Sequence, residues 1–256
     1  MIERDGYGVG EDETLDDLIL GNYRLLQSRA GYRFSIDAVL LAHFVELANI
    51  TGPVYDLGTG NGVIPILLAA RDSRIKIVGI ELQESMFRRA ARNISFNNLD
   101  ERISIIRGDV RRLADVLPPN SSRLVVCNPP FWSIGQGKIS RHPEKALARH
   151  ELEGRLIDFV EGAAYLLQPG GRACFIHRVE RSQEINDLLR LKELYPSRQR
   201  MVQSFAGRSP QLLLIEGTKG YQGERMDLAP LYIYQQPGVY SQEVSSWYSW
   251  NSSEGK

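Results

Sequence analysis

Residues 53–70 read PVYDLGTGNGVIPILLAA, and this stretch decides the fold. A short apolar run, three closely spaced glycines and a second apolar run predict a strand, a tight turn and a helix. Pro65 falls in the first turn of that helix, where proline is tolerated. The chain before and after this stretch shows how far the pattern extends.

Strand-like and helix-like segments alternate from residue 53 to about residue 195, which predicts parallel strands with helices on both faces. The last two apolar segments, RMVQSF and QLLLIEGTK, are joined by a short link and must therefore pair antiparallel. We predict an α/β fold with a doubly wound, seven-stranded, mostly parallel sheet of Rossmann-like type. An antiparallel C-terminal hairpin completes this sheet.

The chain divides into three predicted parts. Residues 1–35 form an N-terminal extension in which the segments YRLLQ and YRFS suggest a small hairpin. Residues 36–244 form the α/β domain that carries the motifs, and residues 245–256 form a flexible tail.

Composition narrows the possible functions. The 256 residues include 31 Lys and Arg and 31 Asp and Glu, so a dominant electrostatic footprint for nucleic acid is absent, although a local patch remains possible. Cys127 and Cys174 lie in apolar runs and read as buried free thiols, which fits a reducing compartment. The N-terminus has no signal-peptide pattern, and no apolar run reaches about 20 residues. We predict a soluble cytoplasmic protein with no membrane span and no bound metal.

The glycine loop admits two ligands. A dinucleotide site expects the spacing G-x-G-x-x-G, with the helix N-terminus facing a pyrophosphate. Here the glycines are Gly58, Gly60 and Gly62, and Asp56 precedes them. An acid at this position would repel pyrophosphate but could face an ammonium group. The loop therefore favours S-adenosylmethionine. The alternative is a structural glycine turn that binds no ligand.

Acidic residues that follow the next two strands complete the predicted cofactor site. Glu81 ends the second strand about 20 residues after the loop, where a carboxylate can accept hydrogen bonds from ribose hydroxyls. Asp109 follows the third strand and either accepts from the adenine amino group or caps the next short helix. The predicted cofactor contacts from the domain are Asp56, Gly58, Gly60, Asn61, Glu81, Leu82, Asp109, Val110 and Asn128.

The second motif, Asn128-Pro129-Pro130-Phe131, follows the fourth strand. An exocyclic nitrogen on a ring or carbonyl is a poor nucleophile until its lone pair is localised. The Asn128 side-chain oxygen and the Pro129 carbonyl could each accept one N–H and orient that lone pair. Phe131 offers a flat surface for stacking. We predict Asn128, Pro129 and Phe131 as the catalytic group, against the alternative of a purely structural turn.

Together these residues resemble the bacterial tRNA1(Val) (adenine-N6)-methyltransferases, a branch of the class I S-adenosylmethionine-dependent methyltransferases. The resemblance covers nearly the whole chain and includes LDDLILGNYRLLQ, GYRFSIDAVLLAHF, DLGTGNGVIPILLAAR, VVCNPPFW and LLQPGGRACFIHRVER. It implies methylation of the N6 amine of an adenine in the tRNA anticodon loop. It also implies that Gln27, Arg33, Phe34 and Asp37 close over the cofactor. Trp132 departs from the usual pattern after the prolines.

An RNA substrate requires basic or aromatic contacts near the catalytic turn. The predicted RNA-binding residues are Trp132, Lys138, Arg141, Arg149 and Arg178. The segment that holds most of them also contains acids, so a solvated mixed-charge helix is the competing interpretation. Ribosomal RNA guanine-N2 methylation and protein glutamine-N5 methylation use the same site chemistry and remain alternatives. An inactive RNA-binding module is the alternative from a different class.

Overall fold

The structure is a computed structural model that describes residues 8–18, 22–31, 33–131, 154–221 and 223–248. Its strands are β1 (Glu13–Asp17), β2 (Arg24–Ser28), β3 (Pro53–Leu57), β4 (Lys76–Glu81), β5 (Ile103–Arg107), β6 (Ser122–Cys127), β7 (Leu167–Arg178), β8 (Leu194–Gln203), β9 (Leu212–Lys219), β10 (Met226–Tyr232), β11 (Tyr234–Gln236) and β12 (Val239–Tyr240). Its α-helices are α1 (Ile36–Phe44), α2 (Val63–Arg71), α3 (Glu84–Phe96), α4 (Leu156–Leu166), α5 (Ser182–Leu191) and α6 (Gln242–Tyr248). Short 3₁₀ helices span Val110–Asp115 and Val179–Arg181.

The main sheet confirms the predicted fold class. Its strand order is β10-β8-β9-β7-β6-β3-β4-β5, and β9 runs antiparallel to both of its neighbours, β7 and β8. The count among the described residues is eight strands rather than the predicted seven, because β10 adds to the edge of β8 in parallel. The chain order reverses between β3 and β6, which lie side by side. Ligands of such sheets bind at the carboxyl ends of the strands at this reversal.

Both faces of the sheet are buried under helices. Successive residues of one strand point to opposite faces, so Val54 packs in one apolar layer and Tyr55 in the other. The first layer contains α1 and α2, and the second contains α4 and α5. This burial on both faces explains why the central strands read as continuous apolar runs.

The N-terminal hairpin differs from the predicted one. The strand β2 was expected to pair with the segment that follows it, YRFS, but it pairs antiparallel with β1, which precedes it. Residues 33–35 of the expected partner are in no strand. In ETLDD, charged residues occupy most positions, so apolar and polar side chains do not alternate clearly. A strand was therefore not predicted at β1.

The C-terminal segment also differs from expectation. Residues 245–248 were assigned to a flexible tail but belong to α6, in which Val244 is fully buried. Trp247 stacks on His43 of α1, with ring centroids 4.4 Å apart and planes 5° from parallel. Burial, together with the charge of Arg71, lowers the pKa of His43 to about 4, so this histidine is neutral and packed. Residues 249–256 lie outside the described residues.

Among the residues that the structure describes, no helix combines the length and the apolar character needed to cross a membrane.

Candidate active site

The glycine loop follows β3 and turns back against β4. The backbone N–H groups of Gly58 and Thr59 both donate to the carbonyl of Ile80, at 2.9 Å each. Gly58 and Gly60 have φ values of +72° and +60°, a region that L side chains rarely adopt. A Cβ at Gly58 would lie 3.2 Å from Phe159, and one at Gly60 would lie 3.3 Å from Met86. Glycine is therefore required here by both backbone conformation and space.

Two buried oxygens beside this loop lack a partner among the described residues. They are Oδ1 of Asp56, which is fully buried, and Oδ1 of Asn61, which is 1% exposed. The other carboxylate oxygen of Asp56 accepts from the Thr59 hydroxyl at 2.6 Å. Burial raises the pKa of Asp56 to about 7, the Thr59 hydrogen bond opposes this, and the charge of Glu81 adds to it. Acceptors held in this way suit a cationic ligand group.

Glu81 connects the loop to the end of β4. Its Oε2 accepts from the backbone N–H of Gly60 at 2.8 Å, and its Oε1 accepts from that of Gln83 at 2.8 Å. The side chain is 6% exposed, and it lines a cavity at the sheet edge. Each carboxylate oxygen can accept more than one hydrogen bond, so Glu81 retains capacity for a ligand.

The cavity at this edge is open to solvent, and its empty volume, with the open solvent included, is about 890 Å³. Residues after β3, β4 and β6 all contribute to its wall, so the two sequence motifs face one space. The lining residues that we had predicted are Gly58, Gly60, Asn61, Glu81, Leu82, Val110 and Asn128. The lining residues that we had not predicted are Ala38, Thr59, Val63, Ile64, Ile80, Gln83, Met86, Gly108, Pro130, Gly154 and Phe159.

The Asn-Pro-Pro-Phe turn begins directly after β6, which pairs with β3. Asn128 and Pro130 line the cavity, and Pro129 is buried behind them. Phe131 is partly exposed, and its ring lies at 57° to that of His177, with centroids 5.4 Å apart. Burial, together with the charge of Arg181, lowers the pKa of His177 to about 4, so a neutral imidazole supports the phenyl ring.

Asp109 takes the capping position that was one of its two predicted roles. Its side chain accepts from the backbone N–H of Arg111 at 2.9 Å, at the start of the 3₁₀ helix Val110–Asp115. The Arg111 guanidinium also bonds to both carboxylate oxygens, which lowers the pKa of Asp109. The role of Asp109 toward the adenine ring stays a prediction.

The front segment contacts the glycine loop through asparagines of α3. Asn93 and Asn97, one helical turn apart, each bond to both the backbone N–H and the carbonyl of one residue of β2, namely Leu26 and Arg24. Asn93 also donates to the carbonyl of Asn61 at 2.8 Å. We call Asn93 and Asn97 the asparagine ladder. Together they hold β2 against the end of α3, and Asn93 also connects this contact to the glycine loop.

Two ion pairs hold the other strand of the hairpin. Glu13 of β1 is 4% exposed and pairs with Arg89 and Arg92 of α3. Arg33 donates to Thr14 and pairs with Asp16, while Ser35 donates to Asp37 at 2.6 Å. The cavity wall does not include the predicted cofactor residues Arg33 and Asp37.

We expect Asn93→Ala to weaken cofactor binding about tenfold, because the Asn61 carbonyl loses its support beside the cavity. Asn97→Ala removes the equivalent strand contact without touching the loop. Both variants should lower the thermal midpoint, and calorimetric titration with the cofactor should separate them. Equal affinity loss in the two variants would assign the effect to hairpin docking rather than to the Asn93–Asn61 bond.

Of the predicted RNA-binding residues, the structure describes only Arg178. It lies at the end of β7, next to His177, and pairs with Glu180 at 2.7 Å. Trp132, Lys138, Arg141 and Arg149 lie outside the described residues.

The reversed strand order, the glycine loop and the adjacent Asn-Pro-Pro-Phe turn are typical of class I methyltransferases. The family model of the methyltransferase small domain matches residues 35–200, and the chain belongs to this family. Family and fold confirm S-adenosylmethionine as the cofactor.

Curated relatives and solved structures agree with this class. A tRNA1(Val) (adenine(37)-N6)-methyltransferase of Tolumonas auensis is 29% identical over 75% of this chain and 79% of its own. One of the same name from Porphyromonas gingivalis is 28% identical over 85% of this chain and 87% of its own. The crystal structure of a predicted O-methyltransferase from Agrobacterium tumefaciens has a TM-score of 0.66 at 20% identity and covers 83% of this chain and 95% of that one. A tRNA m1G37 methyltransferase of M. jannaschii has a TM-score of 0.58 at 19% identity, with coverages of 84% and 59%.

Proposed function

We propose that the chain transfers a methyl group from S-adenosylmethionine to the exocyclic N6 amine of an adenine in a tRNA anticodon loop. The observation that carries this proposal is the shared cavity, whose wall contains Glu81, the glycine loop and Asn128. The names of the curated relatives support the adenine and the tRNA. We expect the protein to work in the cytoplasm with tRNA as its partner.

The cofactor half of the site follows from the buried acceptors. Asp56 and Asn61 carry unpartnered buried oxygens, which suit the ammonium group of the methionine portion. Glu81 accepts from the ribose hydroxyls while its existing bonds hold Gly60 and Gln83 in place. Leu82 and Val110 line the wall and would flank the adenine ring of the cofactor. We assign Arg33 to the stability of the hairpin, because its guanidinium bonds within that hairpin.

The acceptor half uses Asn128, Pro129 and Phe131. The Asn128 side-chain oxygen and the Pro129 carbonyl each accept one hydrogen of the target amine. This rotates the nitrogen lone pair out of conjugation and aims it at the methyl group. Phe131, supported by His177, stacks on the base. A rigid turn is suited to this role, since orientation of the reactants can supply roughly 7–11 kcal/mol of a barrier.

No general base is needed in the transition state. The amine is a neutral nucleophile, and methyl transfer leaves a positively charged nitrogen that loses its extra proton to water afterwards. Among the described side chains of the cavity wall, the acid is Glu81, and it already accepts from two backbone N–H groups. Catalysis therefore depends on positioning and desolvation of the two reactants.

The test is methyl transfer from labelled cofactor onto tRNA, ribosomal RNA and protein fractions in parallel. We expect label in tRNA and, after digestion to nucleosides, in N6-methyladenosine. Label in ribosomal guanosine or in protein glutamine would replace our substrate by one of the two alternatives. Binding of cofactor without transfer to any fraction would support an inactive RNA-binding module.

A further inference from the structure

Four aromatic rings contact one another in succession near the ends of β8 and β10. Phe205, Tyr234, Tyr240 and Tyr248 form this aromatic column. Successive ring centroids lie 5.6, 5.3 and 5.4 Å apart, with interplanar angles of 35°, 10° and 16°. The two tyrosine pairs are stacked and the Phe205–Tyr234 pair is tilted, and all three centroid distances lie in the range that aromatic pairs prefer. Phe205 is therefore the ring at one end of the column.

Strand direction places this column at the same sheet edge as the catalytic turn. The strands β8 and β10 run parallel to β6, so their carboxyl ends lie on the side of Asn128. Phe205 follows the end of β8 by two residues, and Tyr234 follows the end of β10 by two. The strand β8 is three positions from β6 in the sheet, or about 14 Å at the usual strand spacing.

The cofactor cavity lies along the other half of this sheet edge. Its wall comes from the ends of β3, β4 and β6 and from the elements packed on them. The ends of β7, β9, β8 and β10 form the rest of this edge, next to Asn128, and offer surface to a macromolecular substrate whose target base reaches Asn128. The column lies near two of these strand ends.

Phe205 differs from an ordinary core phenylalanine. It is partly exposed, it belongs to neither of the two apolar layers, and its described ring contact is with Tyr234. Three residues further on, Arg208 is exposed and forms no ion pair with any residue that the structure describes. Residues 203–211 and 233–242 contain no acid. A flat apolar ring next to an unpaired cation, without nearby carboxylates in these segments, complements a nucleotide.

The aromatic column and Arg208 also lie outside the part of the chain that the family model matches. The family model ends at residue 200, so all four rings and Arg208 lie beyond it. In folds that serve many activities, specificity depends on sites added to the shared fold.

We propose that Phe205 and Arg208 form a second RNA contact surface, on which one unpaired base of the substrate extends the aromatic column while Arg208 contacts an adjacent phosphate. This proposal rests on the proposed RNA substrate. Base–aromatic stacking is tolerant of sequence, so the surface adds affinity and orientation rather than base readout. The target base is selected separately at Asn128.

The experiment measures steady-state methylation of tRNA by Phe205→Leu and Arg208→Ala. Leucine keeps apolar bulk against Tyr234 but removes the flat ring. We expect about a tenfold rise in KM for tRNA in Phe205→Leu, with kcat, cofactor affinity and thermal midpoint unchanged. In Arg208→Ala the slope of log affinity against log salt should fall by about 0.7, the value for one phosphate contact on a single strand.

Matched controls come from the opposite edge of the sheet. Tyr195, an exposed tyrosine at the start of β8, and Arg190, an exposed arginine near it, provide Tyr195→Leu and Arg190→Ala. These should leave both KM and the salt slope unchanged. An unchanged KM and salt slope in the Phe205 and Arg208 variants, while the wild type methylates tRNA, would overturn this inference and leave the proposed function intact. Parallel losses of kcat and thermal midpoint would show a structural role and would also overturn it. Wild-type label found in protein would refute both.

Discussion

Asn128→Ala is expected to lower kcat for methyl transfer by about a thousandfold without weakening cofactor binding, because the lost oxygen acts only on the acceptor amine. Asn128 follows β6 and Glu81 ends β4, with β3 between these two strands, and both residues line the cavity. Without this acceptor the amine lone pair stays conjugated with its ring. Single-turnover methylation at saturating cofactor measures the chemical step, and calorimetric titration measures cofactor affinity.

Asn128→Asp provides the paired variant. It keeps an acceptor oxygen at nearly the same position and changes the charge, so it should retain more activity than the alanine variant. Wild-type kcat in Asn128→Ala would contradict the lone-pair mechanism. An equal loss of cofactor affinity in both variants would show that the turn supports the cofactor instead.

Glu81→Ala is expected to weaken cofactor binding by at least about a hundredfold. Hydrogen bonds to a charged acceptor contribute roughly 1.5–3 kcal/mol each, and the variant loses those to the ribose as well as the two that hold Gly60 and Gln83. The measurement is the dissociation constant of the cofactor. At saturating cofactor, kcat should recover most of its value, because the catalytic turn is unaffected.

Two variants separate the ribose role from a general loss of structure. Glu81→Gln keeps one acceptor oxygen for the backbone and should lie between wild type and alanine in affinity. Glu84→Ala removes an exposed acid three residues further on, which pairs with Arg88 and Arg107, and should leave cofactor affinity unchanged. Cofactor affinity at the wild-type level in Glu81→Ala would exclude the ribose role.

The sequence predicted the part of the fold that local patterns encode. Strands β3, β4, β6 and β7 are largely buried on both faces, so they read as apolar runs, and the antiparallel β8–β9 pair followed from its short link. The strand β10 gave no such signal. It is an edge strand with six of seven residues not buried, and it contains Pro230, which lies where the pairing register shifts. Within sheets, proline occurs mainly at edge strands, strand starts and bulges. The formation of β10 therefore depends on its pairing with β8 rather than on a local sequence pattern.

The site was predictable to a similar extent. The glycine loop, Glu81 and Asn128 stand at strand ends, where sequence spacing alone brings them to one edge. Asn93 was missed because its partners, Leu26 and Asn61, are 67 and 32 residues away in the chain. Such contacts depend on how the elements pack and leave no local pattern.

The reversal of strand order between β3 and β6 has an evolutionary consequence. In the proposed function, donor and acceptor bind over separate halves of one edge, and the proposed acceptor half includes strand ends beyond residue 200. Mutations in this second half can alter which molecule is modified without disturbing the chemistry of the first. One ancestral catalytic half could thus diversify into enzymes for different targets by exchange of its peripheral strands.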